Sequence, residues 1–218
     1  LAWSRSWDLP IVGAMRIALI VFDGFTDIDL YLPWDLLHRP QQPTWEVRIL
    51  GTAAEHVSST GLPVRTHGMI DEAADADVVL IGSGNGTRAL INDPAYLARL
   101  RLDPQRQLVG SMCSGALVLA ALGLLDGLTA TTYPTAVTAL TAYGVQVVEE
   151  PFVRHGNLAT AAGCLAAQDL VGWVVSTLLG DDARDLMLQA IQPVGRGLAF
   201  AAADEVATTS ASTAGGAL

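Results

Sequence analysis

Apolar positions along the chain follow two rhythms that alternate. Residues 16–22 form an unbroken apolar run, the mark of a strand buried on both faces of a parallel sheet, ended by Asp23 and Gly24. Residues 26–37 then space their apolar side chains as a helix does, with Pro33 tolerable only in a first turn. Asp27 and Asp29 lie ahead of that turn, where acids serve as caps. Residues 45–50 alternate as a second strand, and 57–58 with 62–66 flank Ser59, Thr60 and Gly61 as a hairpin. Residues 77–81 are another buried strand that runs into a glycine-rich stretch, 82–86, before a helical pattern resumes near Thr87. A helix is expected over 94–102, a buried strand over 108–111 and an Ala/Leu-rich helix from Gly115 to a turn at 123–127. There follow a short strand at 129–132, a helix over 134–143 and late strands at 145–148, 152–154 and 158–160. A long apolar helix over 167–179 precedes a final helix from Asp181, read as its N-cap, to about Ala190. Strands alternating with helices predict an α/β fold with a doubly wound, mostly parallel sheet.

The chemistry gathers at the carboxyl ends of the strands, where such sheets build their sites. Cys113 stands at the corner between strand 108–111 and the following helix, the arrangement of a nucleophile elbow. The first helix turn there aims unpaired N–H groups at the sulfur and favours a thiolate. Against this stands the plainer reading of Cys113 as a small buried hydrophobe. The loop at 82–86 matches neither the P-loop nor the dinucleotide fingerprint. Its backbone N–H groups suit an oxyanion pocket better, with a tight turn as the alternative. The loops carrying Asp27 and Asp29, the glycines and Cys113 are all expected at one sheet edge.

Composition narrows the partners. A chain of 218 residues with a formal charge of -10 suits one domain with a real core and disfavours nucleic acid. Two cysteines, Cys113 and Cys164, are enough for one pair but not for a disulfide scaffold, so a reducing cytoplasm is expected. No His/Cys cluster has zinc spacing, and His38, His56, His67 and His155 are read as surface residues. No run is long and apolar enough to span a bilayer, so no membrane partner is expected. Residues 1–14 are read as an N-terminal extension, 15–200 as the domain and 201–218 as a flexible Ala/Thr/Ser/Gly-rich tail.

With these residues in hand, the chain resembles the DJ-1/PfpI superfamily from residue 15 to about 191, and looks most like its isonitrile hydratase branch. The anchors are the run from Phe22 through Leu30 with Pro33, the 82–86 loop with Asp93 and Pro94, Cys113-Ser-Gly, Ala130-Thr-Thr, Gly156-Asn-Leu, and Gly163 with Asp169. The resemblance implies a flavodoxin-like sandwich, usually a homodimer, with no cofactor and no metal. It makes Cys113 the nucleophile and Asp29, not Asp27, the acid beside it. It assigns the oxyanion donors to the backbone N–H groups of Gly84 and Ser114. Arg88 and Tyr133 are expected to line the pocket. Cys164, in an apolar turn where the family usually has no cysteine, is expected to be structural.

This chain departs from the hydratase pattern in the pocket. Ser114 replaces Thr after the cysteine, Tyr31 and Leu32 replace Thr-Gly before Pro33, Gly82 and Ser83 replace Pro-Gly, and Tyr133 and Pro134 replace His-Trp. Protease-like members carry His directly after the cysteine, where Ser114 stands. The implied activity is hydration of a small-molecule electrophile, an isonitrile, to an N-substituted formamide. Two further readings stay open: a glyoxalase- or deglycase-like enzyme acting on small carbonyls, and a non-catalytic redox sensor with an oxidisable cysteine.

Overall fold

A computed structural model describes residues 14–199 of the chain. Seven strands form the main sheet: β1 (Met15–Ile20), β2 (Trp45–Gly51), β5 (Gly68–Met69), β6 (Val78–Ile81), β7 (Leu108–Met112), β10 (Phe152–His155) and β11 (Leu158–Ala161). Two small pairs stand outside it: β3 (Glu55–Val57) with β4 (Pro63–Arg65), antiparallel as the hairpin reading expects, and β8 (Thr129–Ala130) with β9 (Gln146–Val147), parallel. The helices are α1 (Asp27–His38), α2 (Thr87–Leu90), α3 (Pro94–Arg99), α4 (Ala116–Ala121), α5 (Val137–Thr141), α6 (Ala167–Leu179) and α7 (Asp181–Gln189). The main sheet runs β10-β11-β7-β6-β1-β2-β5, parallel throughout except at the β10–β11 hairpin.

Side-chain alternation along β1 explains why both faces are covered. Ile17 and Leu19 join Leu80, Leu170, Val171 and Val174 in one buried cluster, on the α1, α6 and α7 side. Ala18 and Ile20 join Val79, Val109, Leu117 and Leu140 in the other, on the α3, α4 and α5 side. Every residue of β6 and β7 is buried; β6 reads as an unbroken apolar run, and Ser111 is the polar residue of β7. Each such aliphatic side chain contributes about 1.5–3 kcal/mol relative to exposure. This is the expected α/β doubly wound sandwich. The order reverses between β1 and β6, and that switch point is where the fold opens a crevice.

Several local expectations are corrected. Pro33 does not open α1 but sits in its interior, five residues past the first turn's Ile28. Its missing N–H leaves the Asp29 carbonyl without its helical donor. The helix over 94–102 ends early, at Arg99, although its start is well made: the Asp93 side chain accepts from the N–H groups of Ala95 and Tyr96. Gly180, at φ 90°, takes the N-cap position of α7. Asp181 instead accepts from Ser176 Oγ and Arg184 Nη1. His56 is buried, not superficial: Nε2 faces the N–H groups of Thr52 and Ala53, and Nδ1 lies 3.2 Å from Asp23. Trp34 and Trp173 pack against His67 and Phe152. The readings of residues 1–14 as an extension and 201–218 as a tail fall almost wholly outside the described residues.

The glycine-rich loop is held by close backbone approach. A Cβ on Gly84 (φ 155°) would fall 2.6 Å from Phe25 Cα and collide with the Gly24 carbonyl. Phe25 and Gly84 pair through an isolated bridge, and Thr26 N–H donates to Ser83 O at 2.8 Å. Gly84→Ala is therefore expected to destabilise the fold by about 1–3 kcal/mol. Denaturant unfolding checks this, and an unchanged midpoint would show that the loop does not need the contact.

Candidate functional site

Four strand ends build the site. The loop after β1 leads into α1 and places Asp29 in its first turn. The loop after β6 carries Ser83 and Gly84, β7 delivers Cys113, and the segment after β11 delivers Gly163 and Cys164. Strand β7 runs straight into a short 3-10 turn, Cys113–Gly115, and then α4. Cys113 itself has φ 47°, one of two non-glycine residues in the left-handed region among the described residues. This is the strained corner of a nucleophile elbow, held because Gly115 packs against the ends of β6: a Cβ there would lie 2.7 Å from Gly82 O. Thr132 Oγ1 donates to Cys113 O at 2.8 Å and fixes the corner from the β8 side.

Cys113 is 3% exposed and Asp29 4%. A carboxylate oxygen of Asp29, Cys113 Sγ and Cys164 Sγ all lie within 4.8 Å of one another. Among the described residues, neither Asp29 oxygen has a hydrogen-bond partner. Asp27, by contrast, turns to the β3–β4 hairpin, where it accepts from Thr60 Oγ1 at 3.0 Å. The hydroxyls of Ser58 and then Thr60 lower its pKa, against a smaller opposing effect of burial. Of the two acids, the one that meets the cysteine is thus Asp29.

Cys164 corrects the sequence reading. It is not a structural residue of an apolar turn but lines the cleft beside Cys113. Its place was legible in one respect: it follows the carboxyl end of β11, the parallel neighbour of β7, as Cys113 follows β7. Gly163, at φ 89°, turns the chain there.

A cleft of ≈ 240 Å³ opens above the two sulfurs, and Gly84, Ser114, Arg88 and Tyr133 all border it. Their engagements differ. The Gly84 N–H donates to Ser114 Oγ at 3.2 Å, so this expected oxyanion donor is already engaged, and Ser114 Oγ lies 3.3 Å from Gly84 O. Arg88 Nη2 donates to Thr135 O at 2.9 Å and closes one wall. Tyr133 stands at the rim, 45% exposed. None of the four histidines borders the cleft.

The environment holds Cys113 as a thiol. Burial, then the Asp29 charge and Cys164, push its pKa from 9.0 up to about 12, against a smaller opposing pull from the Gly163 N–H. Burial and Asp29 raise Cys164 as well. The expectation of a thiolate stabilised by the helix start meets the opposite direction here: burial first, and the Asp29 charge second, favour the thiol. The sign for stability follows. A folded-state pKa above the unfolded one means that the native chain keeps a proton the unfolded chain loses. This contribution is full below about pH 9 and is lost as pH rises towards 12. Buried Tyr96 acts in the same direction above pH 10. The melting temperature is expected to fall steadily above pH 9, and to fall less steeply in Cys113→Ala. A flat profile to pH 11 would contradict these shifts.

An α/β sandwich with an elbow cysteine over a buried carboxylate is the architecture of a thiol-centred site, and the comparisons agree with it. The chain belongs to the DJ-1/PfpI family, whose profile matches residues 15–177. It is 32% identical over 176 residues to an isonitrile hydratase of Pseudomonas putida, across 80% of this chain and 76% of that protein. It is 29% identical over 130 residues to an uncharacterized protein in the cpoL 5' region of Streptomyces lividans, across 56% of this chain and 89% of that one. A crystal structure of a ThiJ/PfpI family protein from Pseudomonas syringae superposes with a TM-score of 0.75 at 26% identity, covering 91% of this chain and 85% of that one. Schizosaccharomyces pombe DJ-1 shares the fold, with a TM-score of 0.70 at 19% identity over 83% of this chain and all of its own.

Proposed function

We propose that this chain hydrates isonitriles to N-substituted formamides, with Cys113 as nucleophile and Asp29 as proton carrier. The observation that carries the reading is the buried Asp29 carboxylate, free of hydrogen bonds and within 4.8 Å of Cys113 Sγ. The similarity to an isonitrile hydratase supports the choice of substrate.

A thiol beside a carboxylate suits this chemistry. The terminal carbon of an isonitrile must receive a nucleophile and a proton together. The thiol proton passes to Asp29, which leaves the net charge of the pair unchanged. Sγ then bonds to the terminal carbon, and Asp29 delivers the proton to that same carbon, forming a thioimidate. Water adds to the thioimidate carbon. One of its protons reaches nitrogen, the other returns to sulfur through Asp29, and the C–S bond breaks to release the formamide. The thiol proton delivered to carbon is replaced by one from water, so over a full turnover the product is isonitrile plus water. The chain's own part is to hold the proton between Asp29 and Cys113 and to exclude bulk water from both.

One observation weighs against the carbonyl reading. With no histidine at the cleft, a carbonyl substrate lacks a second proton shuttle. A redox sensor is separated by the formamide assay: stoichiometric peroxide consumption at Cys113 without formamide turnover would favour it. We also infer a homodimer, as the family resemblance implies. The test of the function is product identity: purified protein given cyclohexyl isonitrile is expected to release N-cyclohexylformamide catalytically. No formamide, with turnover of a small dicarbonyl instead, would replace this reading by the glyoxalase-like one.

A further inference from the structure

We propose that Asp29, Cys113 and Cys164 form a binding site for a thiophilic divalent cation of the zinc type, with the fourth coordination position open to the cleft. The proposal concerns the same cleft as the hydratase reading but does not depend on it, because Cys164 has no part in that chemistry.

Three separate strand-to-helix connections bring the three groups together, so the cluster is a tertiary feature and not a local motif. The three ligand atoms lie within 4.8 Å of one another. A tetrahedral zinc with metal–ligand distances of about 2.0–2.3 Å needs its ligand atoms about 3.3–3.8 Å apart, which rotamer adjustment of the two cysteines supplies. The second observation is independent of spacing. Asp29 is 4% exposed and neither of its oxygens has a hydrogen-bond partner, a costly state for a buried carboxylate. A cation held between it and the sulfurs satisfies it.

The donor set selects the metal class. Two soft sulfurs and one carboxylate suit zinc, cadmium or cobalt and reject magnesium and calcium, which take oxygen ligands. Two thiolates and a carboxylate place three negative charges on a divalent ion, leaving the site at a net charge of -1. Binding releases two thiol protons to solvent, and the positive charge of the ion offsets the burial and the Asp29 charge that hold both thiols protonated in its absence. Cys113 and Cys164 both border the cleft, so an ion has a route in. Three protein ligands with an open position are the pattern of accessible rather than purely structural zinc. A bound cation takes the Cys113 sulfur out of use as a nucleophile. The site is therefore a reversible block on the elbow cysteine.

The test is a titration of the reduced full chain with Co2+, read by thiolate-to-cobalt charge-transfer absorption, and with Zn2+ against a chromophoric chelator. The wild type is expected to bind one equivalent. Loss of an outer-shell partner already costs about 10–100-fold in affinity, so Cys164→Ala is expected to bind at least ~100-fold more weakly. Cys164→Ser and Cys113→Ala are expected to match it, with circular dichroism confirming that each is folded. One equivalent of Zn2+ is also expected to slow iodoacetamide labelling of Cys113 at least ~10-fold in the wild type and not in Cys164→Ala. Absence of micromolar binding by the wild type would overturn the proposal. So would equal binding by wild type and Cys164→Ala, which would mark the cation as adventitious.

Discussion

Cys113→Ala is expected to lower formamide production by at least ~1000-fold while leaving the fold in place. The nucleophile supplies the covalent step, and no other group in the cleft is positioned to replace it. Cys164 lies close by, but it leaves a half-buried turn and not the elbow corner, so it lacks the strained backbone that lifts Cys113 out of the sheet edge. The substitution removes one buried sulfur from a corner whose shape is set by Gly115 and Thr132. Its melting temperature near neutral pH is accordingly expected within about 5 °C of the wild type. Retained turnover would transfer the nucleophile's role elsewhere.

Asp29→Asn is expected to separate two properties that usually move together. Turnover should fall about 100- to 10,000-fold, the usual range for loss of a general acid or base. Thiol reactivity should move the other way. The Asp29 charge is the second-largest cause of the raised Cys113 pKa, after burial. Its removal lowers that pKa and increases the thiolate fraction near neutral pH. Iodoacetamide should then label Cys113 faster in the variant than in the wild type. An enzyme with slower chemistry and a more reactive sulfur is the signature of a carboxylate that carries protons. If Asp29→Asn lost neither turnover nor its high thiol pKa, Asp29 would be a bystander.

Particular residues show what was legible in the chain and what was not. Strands β1 and β6 announce themselves because burial on both faces demands unbroken apolar runs, and the 108–122 stretch reads as strand, corner and helix without help. The long helix α6 was legible to the residue, since its apolar length leaves no alternative. Pro33 was misplaced because proline's tolerance of a first turn is a local rule. Here α1 begins at Asp27, so Pro33 falls in its interior, and the helix accepts the lost hydrogen bond while packing Leu30, Leu36 and Leu37 into the core. The polarity of histidine suggests a surface place for His56, yet the N–H groups of Thr52 and Ala53 engage its Nε2 inside the β2–β3 turn, with Asp23 3.2 Å from Nδ1.

The site divides in the same way. Asp29 and Cys113 were found through their motifs and come together in space. Cys164 was missed because nothing in its local sequence distinguishes an apolar turn from a cleft wall. Only the parallel pairing of β11 with β7 brings its turn beside the elbow. The protonation state of Cys113 was also misread. A helix start predicts a thiolate, but the sign is decided by burial and by a carboxylate contributed 84 positions earlier in the chain. Long-range charge of that kind leaves no trace in periodicity.

The most direct test of the central claim is to look for the bond between substrate and sulfur. Wild-type protein mixed with excess para-nitrophenyl isonitrile, quenched in acid during turnover and weighed intact, should include chains heavier by the mass of one isonitrile. Peptide mapping should place that mass on Cys113, and the Cys113→Ala chain should never carry it. Formamide released at the wild-type rate by Cys113→Ala, with no added mass on Cys113 of the wild type at any quench time, would contradict covalent catalysis at the elbow.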